Sequence, residues 1–228
     1  MVDLSLDEVF ALRQLAAAPP PLLAGVINTD YTGVMGYSFD SFSALALGGA
    51  RIDPEYYLDQ CAQASAKKPT IPQWWIDYIC APAKNWQAFS SHAGTAITSS
   101  DDGLWQPITE GRIRAVMPMA PEGAWMFGKV GLAAVDRPIL VIAAAEDTAN
   151  IYDLEAKFIF RNLDYPDKIM ICFLDRDHLM IWDQMVIKSL EHFATAFFGY
   201  HLQGNEEYAD LVNKKFVQQH EGLKWGIH

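Results

Sequence analysis

Three side chains in this sequence could together perform nucleophilic acyl chemistry: Ser38, Asp147 and His178. A serine hydroxyl is a poor nucleophile until a neighbouring base takes its proton. Histidine titrates near neutral pH and can serve as that base, and a carboxylate can orient the imidazole and stabilise its charged form. Ser38 lies in Gly36-Tyr37-Ser38-Phe39-Asp40, Asp147 in Ala145-Glu146-Asp147-Thr148, and His178 in Asp175-Arg176-Asp177-His178-Leu179. Each segment also has a plainer reading. Ser38 could be an ordinary serine at a helix start, Asp147 a helix N-cap, and a lone loop histidine a structural residue.

The elements around these residues favour the chemical reading. Four short apolar runs read as strands buried on both faces: Tyr31 to Tyr37, Ile113 to Met119, Pro138 to Ala144 and Lys168 to Leu174. Helical patterns follow the first, third and fourth, at Phe39 to Gly48, Ile151 to Leu163 and Met185 to Phe198. Strands alternating with helices mean α/β architecture with a mainly parallel sheet of about four strands and helices on both faces. Ser38, Asp147 and His178 each stand just past the carboxyl end of a strand, the edge where open α/β sheets place their sites. Of the six histidines, His178 alone has that position. The chain order Ser, Asp, His is that of the hydrolases whose serine sits on a strand-to-helix elbow.

An amphipathic helix is expected at Leu4 to Leu15, stopped by Pro19, Pro20 and Pro21. Within a single domain over 1–228, the stretch Ala50 to Glu110 reads as an insertion, rich in tryptophan and proline and too long to be plain loop. It is either a lid over a site or a packing element. The tail from Asn205 to Lys215 reads as a last helix, with Tyr208, Leu211, Val212 and Phe216 on one side.

Composition removes several function classes. The formal net charge of −11 argues against nucleic acid or an anionic membrane as the main partner, because phosphates would be repelled. No uncharged apolar run is long enough to span a bilayer. Met1 to Ala18 does not read as a signal peptide, which leaves a cytoplasmic or a trimmed secreted protein open. The three cysteines lack metal-ligand spacing, so no metal is expected. Cys172 reads as a buried thiol, whereas Cys61 and Cys80 share the irregular insertion and could pair.

The stretches GVMGYSFDSFSALALGGA, RIRAVMPMAPEGA, PILVIAAAEDTANIY and FLDRDHL resemble the dienelactone-hydrolase-like branch of α/β-hydrolases. That branch includes enzymes similar to platelet-activating-factor acetylhydrolase and some polyester-cleaving esterases. The resemblance covers nearly the whole chain outside the insertion, with the motif positions at Ser38, Asp147 and His178. Two departures stand out. Asp40 occupies the place of the glycine expected after the nucleophile. About four strands that precede the nucleophile strand in the family have no counterpart here, so the fold expected is a truncated α/β-hydrolase. The resemblance implies two donors to the oxyanion: the N–H of Phe39, and a group from a loop after one of the absent strands.

What the resemblance implies is a serine ester hydrolase acting through an acyl-enzyme, with no cofactor, on small or aromatic esters, polyesters among them. Trp125 and the insertion would offer aromatic binding surface. The alternative is an inactive half-hydrolase kept as a dimerisation or binding module. A homodimer through the strand Tyr31 to Tyr37 is expected, since nothing in that strand blunts an open edge.

Overall fold

The computed structural model describes residues 1–64 and 71–228; residues 65–70 of the expected insertion lie outside the described residues. The elements run α1 (Val2–Ala17), β1 (Thr32–Tyr37), α2 (Ser41–Leu47), α3 (Pro54–Gln63), α4 (Gln73–Ile79), α5 (Trp86–Ala93), α6 (Thr95–Thr98), β2 (Ile113–Met119), α7 (Ala124–Ala133), β3 (Ile139–Ala144), α8 (Ala156–Asn162), β4 (Lys168–Phe173), α9 (Gln184–Gln203), α10 (Lys214–Val217) and β5 (Leu223–Trp225). The sheet order is β1-β2-β3-β4-β5. The first four strands are parallel, and β5 adds antiparallel to β4.

This is the expected α/β fold with one more strand than the sequence suggests. β5 has three residues, Leu223–Trp225, too few to show a period. The expected tail helix is a short 3-10 segment at Glu206–Leu211 followed by α10. The helix expected from Ile151 is also shorter, beginning only at Ala156. The Asp147 carboxylate accepts the N–H groups of Ala149 and Asn150 and holds those residues in a local turn.

The strands divide their side chains between two apolar layers, as a doubly covered sheet requires. Val116, Ile139, Val141, Ala143, Met170 and Cys172 face α1, α2, α7, α8 and the insertion. Ala115, Met117, Leu140, Ile142, Ala144 and Ile171 face α9 and the C-terminal tail. α2 is buried along its whole length, with α1 laid against it and Ser5 Oγ 3.0 Å from Ser43 Oγ.

The insertion acts largely as a packing element. Tyr57, Trp75, Ile76, Ile79 and Trp105 belong to the first apolar layer, and Trp86 sits 5.4 Å from Trp105 between ring centroids. Cys61 and Cys80 are joined in a disulfide that ties α3 to the end of α4. Closing a loop with a sequence separation of 19 stabilises the fold by about 3 kcal/mol on chain-entropy grounds. A Cys61→Ser/Cys80→Ser variant is therefore expected to melt several degrees lower, and the same fall should follow reduction of the native protein. Equal melting with and without reductant would show that the bond adds nothing to stability.

No helix among the described residues is long and apolar enough to cross a membrane.

Candidate active site

The carboxyl ends of the strands bring the three sequence candidates together. β1 runs into a tight turn at Ser38–Asp40 and then directly into α2. Ser38 itself has φ +57°, a left-handed conformation that costs a non-glycine residue about 1–2 kcal/mol. That backbone lifts the hydroxyl off the sheet edge. The turn is tight because Gly36 lets the strand approach the start of α2: a Cβ there would lie 2.3 Å from the Asp40 carbonyl oxygen. Asp40 has ordinary right-handed angles and an exposed side chain, so the glycine expected at that place is not needed for its backbone.

Register places Tyr37 opposite Met119, so the turn at Ser38 lies beside the end of β2 at Ala120. The loops after β3 and β4 are stitched together by Glu146 N–H donating to the Arg176 carbonyl at 2.9 Å. Across these loops Ser38 Oγ lies 2.8 Å from His178 Nε2, and His178 Nδ1 lies 2.9 Å from Asp147 Oδ2. The other carboxylate oxygen of Asp147 accepts backbone N–H bonds from Ala149 at 2.9 Å and Asn150 at 2.8 Å. With its Nδ1 proton held by a carboxylate, the neutral imidazole presents a lone pair at Nε2 to the Ser38 hydroxyl.

Phe39, the next residue, sits at the start of the short turn, where the first N–H groups lack partners inside the helix. Trp125, expected to offer binding surface, is on α7 and only 4% exposed, its ring packed edge-on against Trp75 at 5.0 Å.

Other residues at the site carry weaker sequence signals. The Tyr37 hydroxyl donates to the His178 backbone carbonyl, tying the serine turn to the histidine loop. Burial, aided by the charges of Asp147 and Asp177, pushes its phenol up to about 12, so it remains a donor. Ser41 Oγ donates to the Ser38 carbonyl and accepts the Glu122 N–H at 2.9 Å. Glu122 is itself buried, and the Tyr78 hydroxyl from the insertion lies 3.3 Å from both of its carboxylate oxygens. Burial raises the Glu122 carboxyl to about 7. Glu155, fully buried, accepts the Ala124 N–H at 2.9 Å at the start of α7, and burial holds its carboxyl far above the usual range. Asn150, also buried, bonds the Ala120 carbonyl through Nδ2 at 2.8 Å. A single motif signal was available for Glu122, its place directly past β2; the pairs Tyr78–Glu122 and Asn150–Ser38 join elements remote in the chain.

No model of a known protein family matches the chain, and no curated protein matches it. The geometry therefore bears the functional argument.

Beside the histidine loop a cleft of about 570 Å³ opens between the end of β4, the start of α9 and the turn before β5. Its walls include Phe173, Arg176, Met185 and Leu223 but no member of the Ser-His-Asp set. Leu179, Trp182 and Met185, which follow His178, are all largely exposed. Among the described residues no group of three His, Cys, Asp or Glu side chains is arranged to hold a metal ion.

The titrating groups give opposite pH trends for activity and stability. The hydrogen bond that His178 donates to Asp147 is the main cause that raises its pKa above 6.5; burial opposes it, and the charges of Asp147, Glu122 and Asp177 add to it. A base must be neutral to accept a proton, so activity should rise with pH through a midpoint above 6.5. Glu122 has the opposite consequence. Its pKa is higher folded, about 7, than unfolded, near 4.5, so its contribution is present below 4.5 and lost as pH rises through 7. The shift corresponds to about 3 kcal/mol. Melting temperature should fall between about pH 5 and 8 while activity climbs, and Glu122→Gln should flatten that fall. A melting temperature that rises over this range would contradict the assignment.

Proposed function

We propose that this chain is a serine carboxylic-ester hydrolase of the α/β-hydrolase type. The observation that carries the reading is the hydrogen-bonded series Ser38 Oγ, His178 Nε2, His178 Nδ1, Asp147 Oδ2, set on a serine at φ +57°. A positive-φ serine is uncommon, and its coincidence with an oriented imidazole is what a nucleophile requires.

In this reading Ser38 Oγ attacks the ester carbonyl carbon as its proton passes to His178 Nε2. The carbonyl π electrons move onto oxygen, and the N–H of Phe39 meets that charge. Collapse re-forms the carbonyl and breaks the bond to the alcohol oxygen, which takes the proton from His178. Water, deprotonated by His178, then cleaves the acyl-serine and releases the acid. Asp147 holds the imidazole in place and stabilises its charged form. The apolar part of the ester would lie against Leu179 and Trp182, which follow His178 in the chain and are exposed. The test is hydrolysis of p-nitrophenyl acetate and butyrate. Turnover lost in Ser38→Ala supports the reading, and turnover equal in both proteins contradicts it.

The binding-module alternative draws on one observation. β1 is an edge strand; Met35 within it is 51% exposed and Tyr31 just before it 53%. An open apolar edge invites strand pairing. We propose that two copies pair through Tyr31 to Tyr37, related by a two-fold axis that extends the sheet. Sedimentation should give a dimer at micromolar concentration, and Val34→Pro should shift it to monomer by removing a strand N–H. A 25.5 kDa monomer with full activity would rule pairing out for the enzyme.

A further inference from the structure

We propose that Asn150 is a further catalytic residue, whose side-chain amide donates to the oxygen of the nucleophile. The inference rests on the esterase reading and adds to it a group that the Ser-His-Asp set does not contain.

Asn150 is 5% exposed and stands three residues after the acid. Its Nδ2 lies 2.8 Å from the Ala120 carbonyl and 3.5 Å from Ser38 Oγ. The first contact fixes the amide orientation, because the reverse placement would set two oxygens against each other. The nitrogen, with two hydrogens, therefore faces both partners. The second partner is an acceptor in the resting enzyme. The His178 ring gives its Nδ1 proton to Asp147 at 2.9 Å, so Nε2 must receive the Ser38 hydroxyl proton, at 2.8 Å. The remaining lone pairs of Oγ are open to an N–H, and Asn150 supplies one.

At 3.5 Å this contact is at the outer limit of a hydrogen bond. Catalytic hydrogen bonds are often long before substrate binds and shorten as charge develops. As the hydroxyl proton moves to His178, Oγ becomes more negative and draws the amide in. Once Oγ is bonded to the carbonyl carbon that charge is gone. The donor thus acts on the step that creates the nucleophile, and its effect belongs in kcat rather than KM. One residue also links two members of the set, since the Asn150 backbone N–H holds Asp147 Oδ1 at 2.8 Å.

A merely structural Asn150 would serve by anchoring Ala120, whose φ is +41°. The experiment separates the two roles by measuring the rate at which an alkyl fluorophosphonate labels Ser38, together with kcat, KM and melting temperature. Asn150→Leu keeps the branched shape, at somewhat greater volume, and removes the donor. The labelling rate and kcat are expected to fall about 10- to 100-fold, with KM changed less than about threefold. Asn150→Asp keeps the shape even if the leucine variant does not fold. It turns a carboxylate toward Oγ, so labelling should slow further and the acid limb of the pH–rate profile should move to higher pH, because His178 gains another anionic neighbour. Wild-type labelling rates in either folded variant, even with a lowered melting temperature, would overturn the proposal and leave the esterase reading intact. A wild-type protein that is not labelled at Ser38 would overturn both.

Discussion

Ser38→Ala and His178→Ala are each expected to reduce ester hydrolysis by about 10⁴–10⁶-fold, and the double variant to be no slower than the worse of the two. The reason is the single line of contacts at 2.8 and 2.9 Å from Ser38 through His178 to Asp147. Without the hydroxyl there is nothing for the imidazole to deprotonate, and without the imidazole the hydroxyl remains a weak nucleophile. Each loss removes the whole pathway, so the second has little left to remove. Two residues acting independently would instead multiply their effects. Melting temperatures should change little in Ser38→Ala, and relief of the positive-φ strain would not follow, because alanine carries the same Cβ. A double variant whose loss equals the product of the two single losses would contradict the assignment of these residues to one machine.

Gly36→Ala should cost less activity than loss of a triad residue, about 100-fold, and be far more damaging to the fold. The added methyl would lie 2.3 Å from the Asp40 carbonyl oxygen, 2.5 Å from its carbon and 2.8 Å from the Ser41 nitrogen. All three are main-chain atoms and cannot swing aside as a side-chain end does. The strand and α2 must separate, at a cost of about 2–3 kcal/mol by analogy with overpacked cores. Ser38 lies between the two displaced segments. A shift of about 1 Å there reduces turnover by about 100-fold. Gly111→Ala is the matched comparison, since a Cβ at Gly111 meets nothing within 4 Å. Thermal melting and p-nitrophenyl butyrate turnover on the two variants would decide the matter, and similar behaviour in both would contradict the elbow argument.

The parts of this architecture that the sequence displays are those written in local patterns. Four buried strands show as apolar runs, and their carboxyl ends then bring Ser38, Asp147 and His178 to one sheet edge. α7 was not legible, for a physical reason. Gly123 has φ +117° before it, Gly128 has φ +60° within it, and Ala124 to Gly128 are all buried, so no polar face marks a helical period. Trp125 is expected to offer surface, whereas the helix turns it inward against Trp75. Of the insertion's tryptophans, Trp75 and Trp105 belong to the core, whereas Trp74 alone of the adjacent pair is exposed, a division that composition does not display. Asp40 departs from the expected motif because a motif is matched by residue type. The backbone at that residue is right-handed, so the type was not constrained. Asn150 and Glu122 gain their meaning from partners more than 40 residues away, at Ser38 and Tyr78, which no local pattern records.

The most direct measurement of the central claim is the site and stoichiometry of fluorophosphonate modification, read by intact mass and peptide mapping. The account predicts one adduct per chain, on Ser38, absent from Ser38→Ala and strongly slowed in His178→Ala. No adduct, or an adduct on another serine that persists in Ser38→Ala, would contradict it.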